Sequence, residues 1–190
     1  MQFTYHHLLL TTYYLLFTSY GLRSHFAYIY HPMKPTVQRF KDLEELDSES
    51  KYLVHKAKEA TTLSYAPYSK FHVGAAVMLD DGTVVTGSNQ ENASYPLCMC
   101  AERVALYTVA TQHPGKVITK LAVVAHKKNH KELTSATSCG ACAQVMLEFE
   151  HRQNKPFEVI MLEADNHWAK CSSVNVLLPH AFTKDSLDKS

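Results

Sequence analysis

A charge imbalance is nearly absent from this chain of 190 residues: 19 lysines and arginines stand against 18 aspartates and glutamates, for a formal charge of +1. No broad field is available to attract a polyanion, which argues against nucleic acid and for a small-molecule partner. Also lacking is a run of about 20 mainly apolar residues, the length a spanning helix requires. The uncharged stretch 8–22 is interrupted by Thr11, Thr12, Thr18 and Ser19. No lysine or arginine precedes it and no clear small-residue cleavage site follows, so it fits neither a membrane anchor nor an export signal. The five cysteines, Cys98, Cys100, Cys139, Cys142 and Cys171, form an odd set without the even framework of a small secreted scaffold. A reducing, cytoplasmic setting is therefore expected, and no membrane association. There is no internal repeat or low-complexity tract.

What remains is ordinary globular composition, 46% hydrophobic and 19% charged, enough for one domain with a substantial core. It is unevenly distributed. Residues 1–32 hold a single charged side chain, Arg23, together with six of the 11 tyrosines and His6, His7, His25 and His31. Beyond them 18 basic residues balance 18 acidic ones. Residues 1–32 are therefore expected to be an atypical extension, either unfolded or not part of the native protein. Met33-Lys34-Pro35-Thr36 reads as an ordinary polar start, and residues 33–190 are expected to form the domain.

Periodicity predicts a helix over 49–63, capped by Asp47 or Ser48, with Leu53, Ala57 and Ala60 on one face. It ends before the turn-rich Tyr65-Ala66-Pro67-Tyr68-Ser69. Residues 71–79 read as a buried strand, Asp81-Gly82 as a hairpin turn and 83–87 as its partner. The Val- and Ile-rich runs 120–125 and 157–162 suit inner strands, and 168–174 is a weaker final one. Ala101, Val104, Ala105, Thr108 and Val109 recur at helical spacing, as do Cys142, Val145, Met146 and Phe149. Both cysteine motifs therefore introduce helices, and helices alternating with strands predict an α/β fold layered on a mixed sheet.

Cys139-Gly140-Ala141-Cys142 can be read as a redox pair or as half of a metal site. Cys100-Ala101-Glu102 tips the reading toward metal. Three thiolates leave the fourth tetrahedral position of a zinc ion open to water, and a carboxylate two residues from a ligand can move that water's protons. Without the cysteines, Glu102 would be an ordinary first-turn acid favoured by the helix dipole. Arg103 can donate to the sulfurs and offset their charge, or simply be solvated. If Cys98 joined the other three, the result would be a closed structural centre and no enzyme. The basic cluster His126-Lys127-Lys128-Asn129-His130-Lys131 reads as a solvated loop.

Five segments in order carry a resemblance: Tyr68-Ser69-Lys70-Phe71-His72-Val73-Gly74-Ala75-Ala76, Asn89-Gln90-Glu91-Asn92-Ala93-Ser94-Tyr95-Pro96, Cys100-Ala101-Glu102-Arg103, Cys139-Gly140-Ala141-Cys142 and the C-terminal 177–182. Over residues 53–187 the chain resembles the cytidine deaminases, specifically their small homotetrameric form. That resemblance implies a three-layer α/β/α sandwich around a mixed, about five-stranded sheet, with one zinc per subunit on Cys100, Cys139 and Cys142. It implies hydrolysis of cytidine and deoxycytidine to uridine and deoxyuridine with release of ammonia, in pyrimidine salvage. Glu102 would carry protons from the attacking water to N3 of the base and to the leaving amine. The resemblance assigns the backbone N–H of Ala101 to the base carbonyl, Asn89 and Glu91 to the ribose, and Phe71 to the pocket wall. Phe182 would reach the pocket of a neighbouring subunit in a homotetramer. Another aminopyrimidine nucleoside, such as blasticidin S, is the alternative substrate. Two positions depart from the family pattern: Ser138 stands where a proline is usual and Ala143 where an arginine is usual.

Overall fold

A computed structural model of the protein describes residues 35–187. The expectations for residues 1–32, and for a start at Met1 or Met33, fall outside these residues. In chain order the strands are β1 (Val37–Phe40), β2 (Phe71–Leu79), β3 (Val84–Ser88), β4 (Ile118–Lys127), β5 (Glu158–Leu162) and β6 (Trp168–Cys171). The helices are α1 (Ser48–Ala60), α2 (Ala101–Gln112) and α3 (Gly140–Gln153). The strands form one open sheet in the order β1-β6-β5-β4-β2-β3. Only β4 and β5 run parallel; the other neighbours are antiparallel.

The expected mixed sheet is therefore present, with a sixth strand at its edge. β1 is only four residues long and has no fully buried position, too short for an alternating pattern to stand out. The last strand stops at Cys171, and Val174–Val176 turns as a 3₁₀-helix instead. That turn is held by the buried Glu150 carboxylate of α3, which accepts from Val174 N at 3.0 Å, Phe157 N at 3.0 Å and Ser173 Oγ at 2.9 Å.

Alternation along the inner strands divides the core into two layers. Ala75, Val77, Leu121, Val123, Val159 and Met161 pack with Ala105, Leu106, Met146 and Leu147 of α2 and α3. Ala76, Met78, Ala122, Val124, Ile160 and Leu162 pack with Leu53, Val54 and Ala57 of α1. One helix thus covers one face and two cover the other. α2 approaches β3 very closely: a Cβ on Gly87 would lie 2.5 Å from both Ala101 O and Ala105 N, so only glycine fits beneath the first turn of α2. Among the described residues, no helix is long and apolar enough to cross a membrane.

Asp47 ties α1 to the sheet. It caps the helix by accepting from Ser50 N at 2.9 Å and Ser50 Oγ at 2.7 Å, and it meets the ammonium groups of Lys120 at 3.2 Å and Lys170 at 3.1 Å. Partial burial would raise its pKa, but these donors outweigh burial and hold the carboxyl well below the usual carboxylate range. A carboxyl whose folded pKa is depressed contributes fully above its unfolded value near 3.9 and loses that contribution as pH falls through the folded pKa. Asp47→Ala should cost about 1–2 kcal/mol at neutral pH through the lost cap. The melting-temperature gap to the parent protein should stay constant from pH 7 to about 4 and narrow only as the pH is lowered further.

Candidate active site

The two cysteine motifs arrive at one place because each sits at the start of a helix on the same face of the sheet. Cys100 is the N-cap residue of α2, and Cys139 is the N-cap of α3, its Sγ accepting from Cys142 N at 3.4 Å. The sulfurs of Cys100, Cys139 and Cys142 all lie within 4.8 Å of one another. Three thiolates around one zinc ion at about 2.3 Å stand roughly 3.8 Å apart, so a small contraction of this cluster holds the ion. The donor set fits as well: three soft thiolates with a fourth position left over suit zinc.

Electrostatics around the cluster favour a deprotonated sulfur at Cys100. The Cys100 thiol is lowered to about 5, first by a hydrogen bond with Cys142 and then by the Arg103 guanidinium, against burial that would raise it. Arg103 Nη2 lies 3.6 Å from Cys100 Sγ. Cys142 is shifted upward because it shares that bond with Cys100 and is buried. The N-termini of α2 and α3 add partial positive charge at the same spot.

Glu102 is the second charged group here, only 4% exposed, in the first turn of α2. Burial pushes its pKa up, and the neighbouring Cys100 sulfur adds to the shift when charged. Glu102 lines a cavity of about 240 Å³ together with Cys100, Cys139 and Ala101. Phe71, Asn89 and Glu91 line the same cavity, joined by Val73, Ala136 and Thr137. Cys100 makes no side-chain cap to α2, so the first-turn amides, that of Ala101 among them, are available to a ligand. Glu91 Oε2 accepts from Tyr68 N at 2.9 Å and Ser69 N at 3.3 Å, which fixes the carboxylate against the 65–70 turn.

The structure thus gathers Cys100, Cys139, Cys142, Glu102, Arg103, Ala101, Phe71, Asn89 and Glu91 around one cavity and its metal corner. Phe182 is not among them: it is 61% exposed, its carbonyl held by Gln144 Nε2 at 2.8 Å. Cys98 is on the cavity wall but outside the sulfur cluster. Its Sγ accepts from Asn92 N at 3.3 Å and lies 3.6 Å from Asn92 O. The departures lie where expected, beside the ligands. Ala143 is buried in the core, and the Ser138 hydroxyl is buried with no hydrogen-bond partner among the described residues. Ala136 and Thr137 were not singled out by pattern. They reach the cavity through isolated bridges, Thr134 to Ala125 and Ala136 to Leu162, and two single bridges leave no periodic trace.

Comparison with known proteins agrees with this geometry. Residues 47–155 match the family model described as the cytidine and deoxycytidylate deaminase zinc-binding region. The cytidine deaminase of Halalkalibacterium halodurans is 39% identical over 136 residues, 72% of this chain and 96% of that protein. The cytidine deaminase of Sporosarcina psychrophila is 39% identical over 146 residues, 77% of this chain and 95% of that protein. Among solved structures, the cytidine deaminase of Burkholderia pseudomallei is 40% identical with a TM-score of 0.57, covering 69% of this chain and 97% of that one. With the match running through both cysteine motifs and Glu102, the chain belongs to the cytidine and deoxycytidylate deaminase family.

Proposed function

We propose that the protein is a zinc-dependent cytidine deaminase, taking cytidine or deoxycytidine and water to uridine or deoxyuridine and ammonia. The observation that carries this reading is the buried carboxyl of Glu102 on the wall of a small cavity, beside three sulfurs close enough to share one metal. Zinc on Cys100, Cys139 and Cys142 supplies a Lewis acid that makes a water nucleophilic near neutral pH.

The rest of the chemistry belongs to the chain's own side chains. Glu102 takes the two protons of the attacking water in turn, passing the first to N3 of the pyrimidine and the second to the departing amine. Burial raises its pKa, which favours the protonated form it needs when it hands a proton on to the substrate. Arg103 offsets the negative charge of the thiolates. The Ala101 N–H, at the positive end of α2, donates to the base carbonyl. Phe71 forms an apolar wall for the base, and Asn89 and Glu91 bind the sugar hydroxyls.

In this reading the catalytic domain is 33–190, and residues 1–32 supply none of its groups. Phe182, exposed on its own protomer, completes the pocket of a neighbouring subunit in a homotetramer. A cytoplasmic location follows from ligands that work only as reduced thiolates. The neutral overall charge supports a free nucleoside over a polynucleotide substrate.

Absorbance assays on cytidine, deoxycytidine, blasticidin S and cytosine with zinc-loaded protein test the activity; turnover of the first two is expected, and silence with all four would refute it. Glu102→Gln should keep its zinc while kcat falls by about 10²–10⁴-fold, the usual worth of a positioned proton-transfer group. Near-normal turnover in that variant would remove Glu102 from the chemistry. Cys98→Ser should retain one zinc per subunit by atomic absorption, whereas metal loss would make Cys98 a fourth ligand and the site a closed one.

A further inference from the structure

The hydrogen bonds around Asn89 define the orientation of its side-chain amide atom by atom. The Val73 backbone N–H can only donate, so the atom it meets at 2.8 Å is the carbonyl oxygen Oδ1. The Phe71 carbonyl can only accept, so it takes a hydrogen from Nδ2 at 3.0 Å. Ser64 Oγ lies 2.5 Å from the same Oδ1. A carbonyl oxygen has no hydrogen to give, so the single hydroxyl hydrogen of Ser64 is committed to Asn89.

The next group in the chain is then determined too. His72 Nδ1 lies 3.2 Å from Ser64 Oγ. With the hydroxyl hydrogen already spent, that contact is a hydrogen bond only if Nδ1 carries a proton and donates it. The His72 ring is held flat against His126, its cross-strand neighbour in the pairing of β2 with β4, with centroids 5.3 Å apart and planes at 21°. His126 is anchored in turn to Thr61 Oγ1 through Nε2 at 3.1 Å. The backbone of Asn89 is fixed as well, its N–H donating to Val73 O at 3.1 Å and its carbonyl accepting from Tyr65 N at 3.0 Å.

Asn89 Oδ1 therefore accepts twice and is saturated, while one hydrogen of Nδ2 remains. Because Asn89 lines the cavity, what it offers a ligand is one donor and no acceptor. Glu91, two residues on, is an ionised carboxylate that can only accept. A ligand group lying between them must take a hydrogen bond and give one, which a hydroxyl does and a hydrogen or fluorine substituent does not.

We propose that Ser64 and His72 are positioning residues that lock Asn89 as a donor-only group, so that the pocket reads a sugar hydroxyl through its lone pair at Asn89 and its hydrogen at Glu91. The proposal rests on the nucleoside reading for the identity of the ligand, but the relay itself does not. Loss of the Ser64 hydroxyl leaves Oδ1 half-satisfied and removes one of the three bonds that hold the amide, so that Nδ2 is aimed less firmly at the sugar, which weakens binding without touching the proton transfers at Glu102.

Nitrogen-15 NMR of histidine-labelled protein tests the relay with no substrate present. His72 should show a protonated Nδ1 in the wild type, and in Ser64→Ala it should revert to the Nε2–H form; Nε2–H already in the wild type would overturn the proposal. In kinetics, Ser64→Ala should raise the KM for cytidine about tenfold, equivalent to about 1.4 kcal/mol, with kcat within about twofold. Ser64→Thr should restore the KM. His72→Asn, whose amide nitrogen can still donate to Ser64, should stay near wild type while His72→Phe behaves like Ser64→Ala. Of 2′-deoxycytidine and 3′-deoxycytidine, the one lacking the hydroxyl read at Asn89 should have the same KM with both proteins. An unchanged cytidine KM in Ser64→Ala, or a loss confined to kcat, would overturn the relay. A wild type inert to cytidine but with His72 protonated at Nδ1 would instead overturn the deaminase reading and leave the relay standing.

Discussion

Two helices on one face of the sheet start at the same point in space, and the sulfurs of Cys100, Cys139 and Cys142 meet there because their helices do. Three like-charged ligands this close together would repel one another. They are tolerable because the positive ends of two helix dipoles and the Arg103 guanidinium converge on them. The same convergence places Glu102 and the amide of Ala101, consecutive residues of one first turn, on the wall of a single cavity. Gly87 is the condition for this arrangement, since any side chain there would lift the start of α2 off β3.

Around that point the cavity divides into two halves of different chemistry. One holds the sulfurs and Glu102, whose carboxyl has its pKa raised by burial. The other is lined by polar groups that the protein itself already holds: Asn89 by Val73, Phe71 and Ser64, and one oxygen of Glu91 by the 65–70 turn. A site whose polar groups are already partnered offers a ligand few remaining valences. Those few are directional, and discrimination comes from leaving a partner unpaired when the wrong group enters.

Much of this was legible in the residues. The cysteine spacing with Glu102 two residues on defined the metal corner, and the 3.6-residue period after each motif put both ligand sets at helix starts. The inner strands stood out by Val and Ile content, and the α/β layering followed from their alternation with helices. What was not legible depends on contacts between distant segments. β1 is four residues with no buried position, and its pairing with β6 exists only once the sheet has formed. Ala136 and Thr137 reach the cavity through two single bridges. Ser64 meets Asn89 across 25 positions of sequence, and a serine in a turn carries no sign of such a partner. The helix expected over 49–63 tightens into a 3₁₀ turn at Thr61–Leu63, and that tightening brings Thr61 to His126.

The parallel pairing of β4 with β5 has a consequence for the order in which the molecule is made. Cys100 precedes β4 in the chain and Cys139 follows it, while β4 is the strand that joins the β2–β3 hairpin to β5 and β6. Until β4 is seated, the helix that starts beside Cys100 and the helix that starts beside Cys139 lack the sheet on which both pack. Local hairpins close early because their loops are short, whereas a contact across a crossover waits for the entropy of a long loop to be overcome. Because of that loop entropy the sulfur cluster belongs to the long-range part of the fold, and a metal ion bound there stabilises the folded chain and not its isolated hairpins.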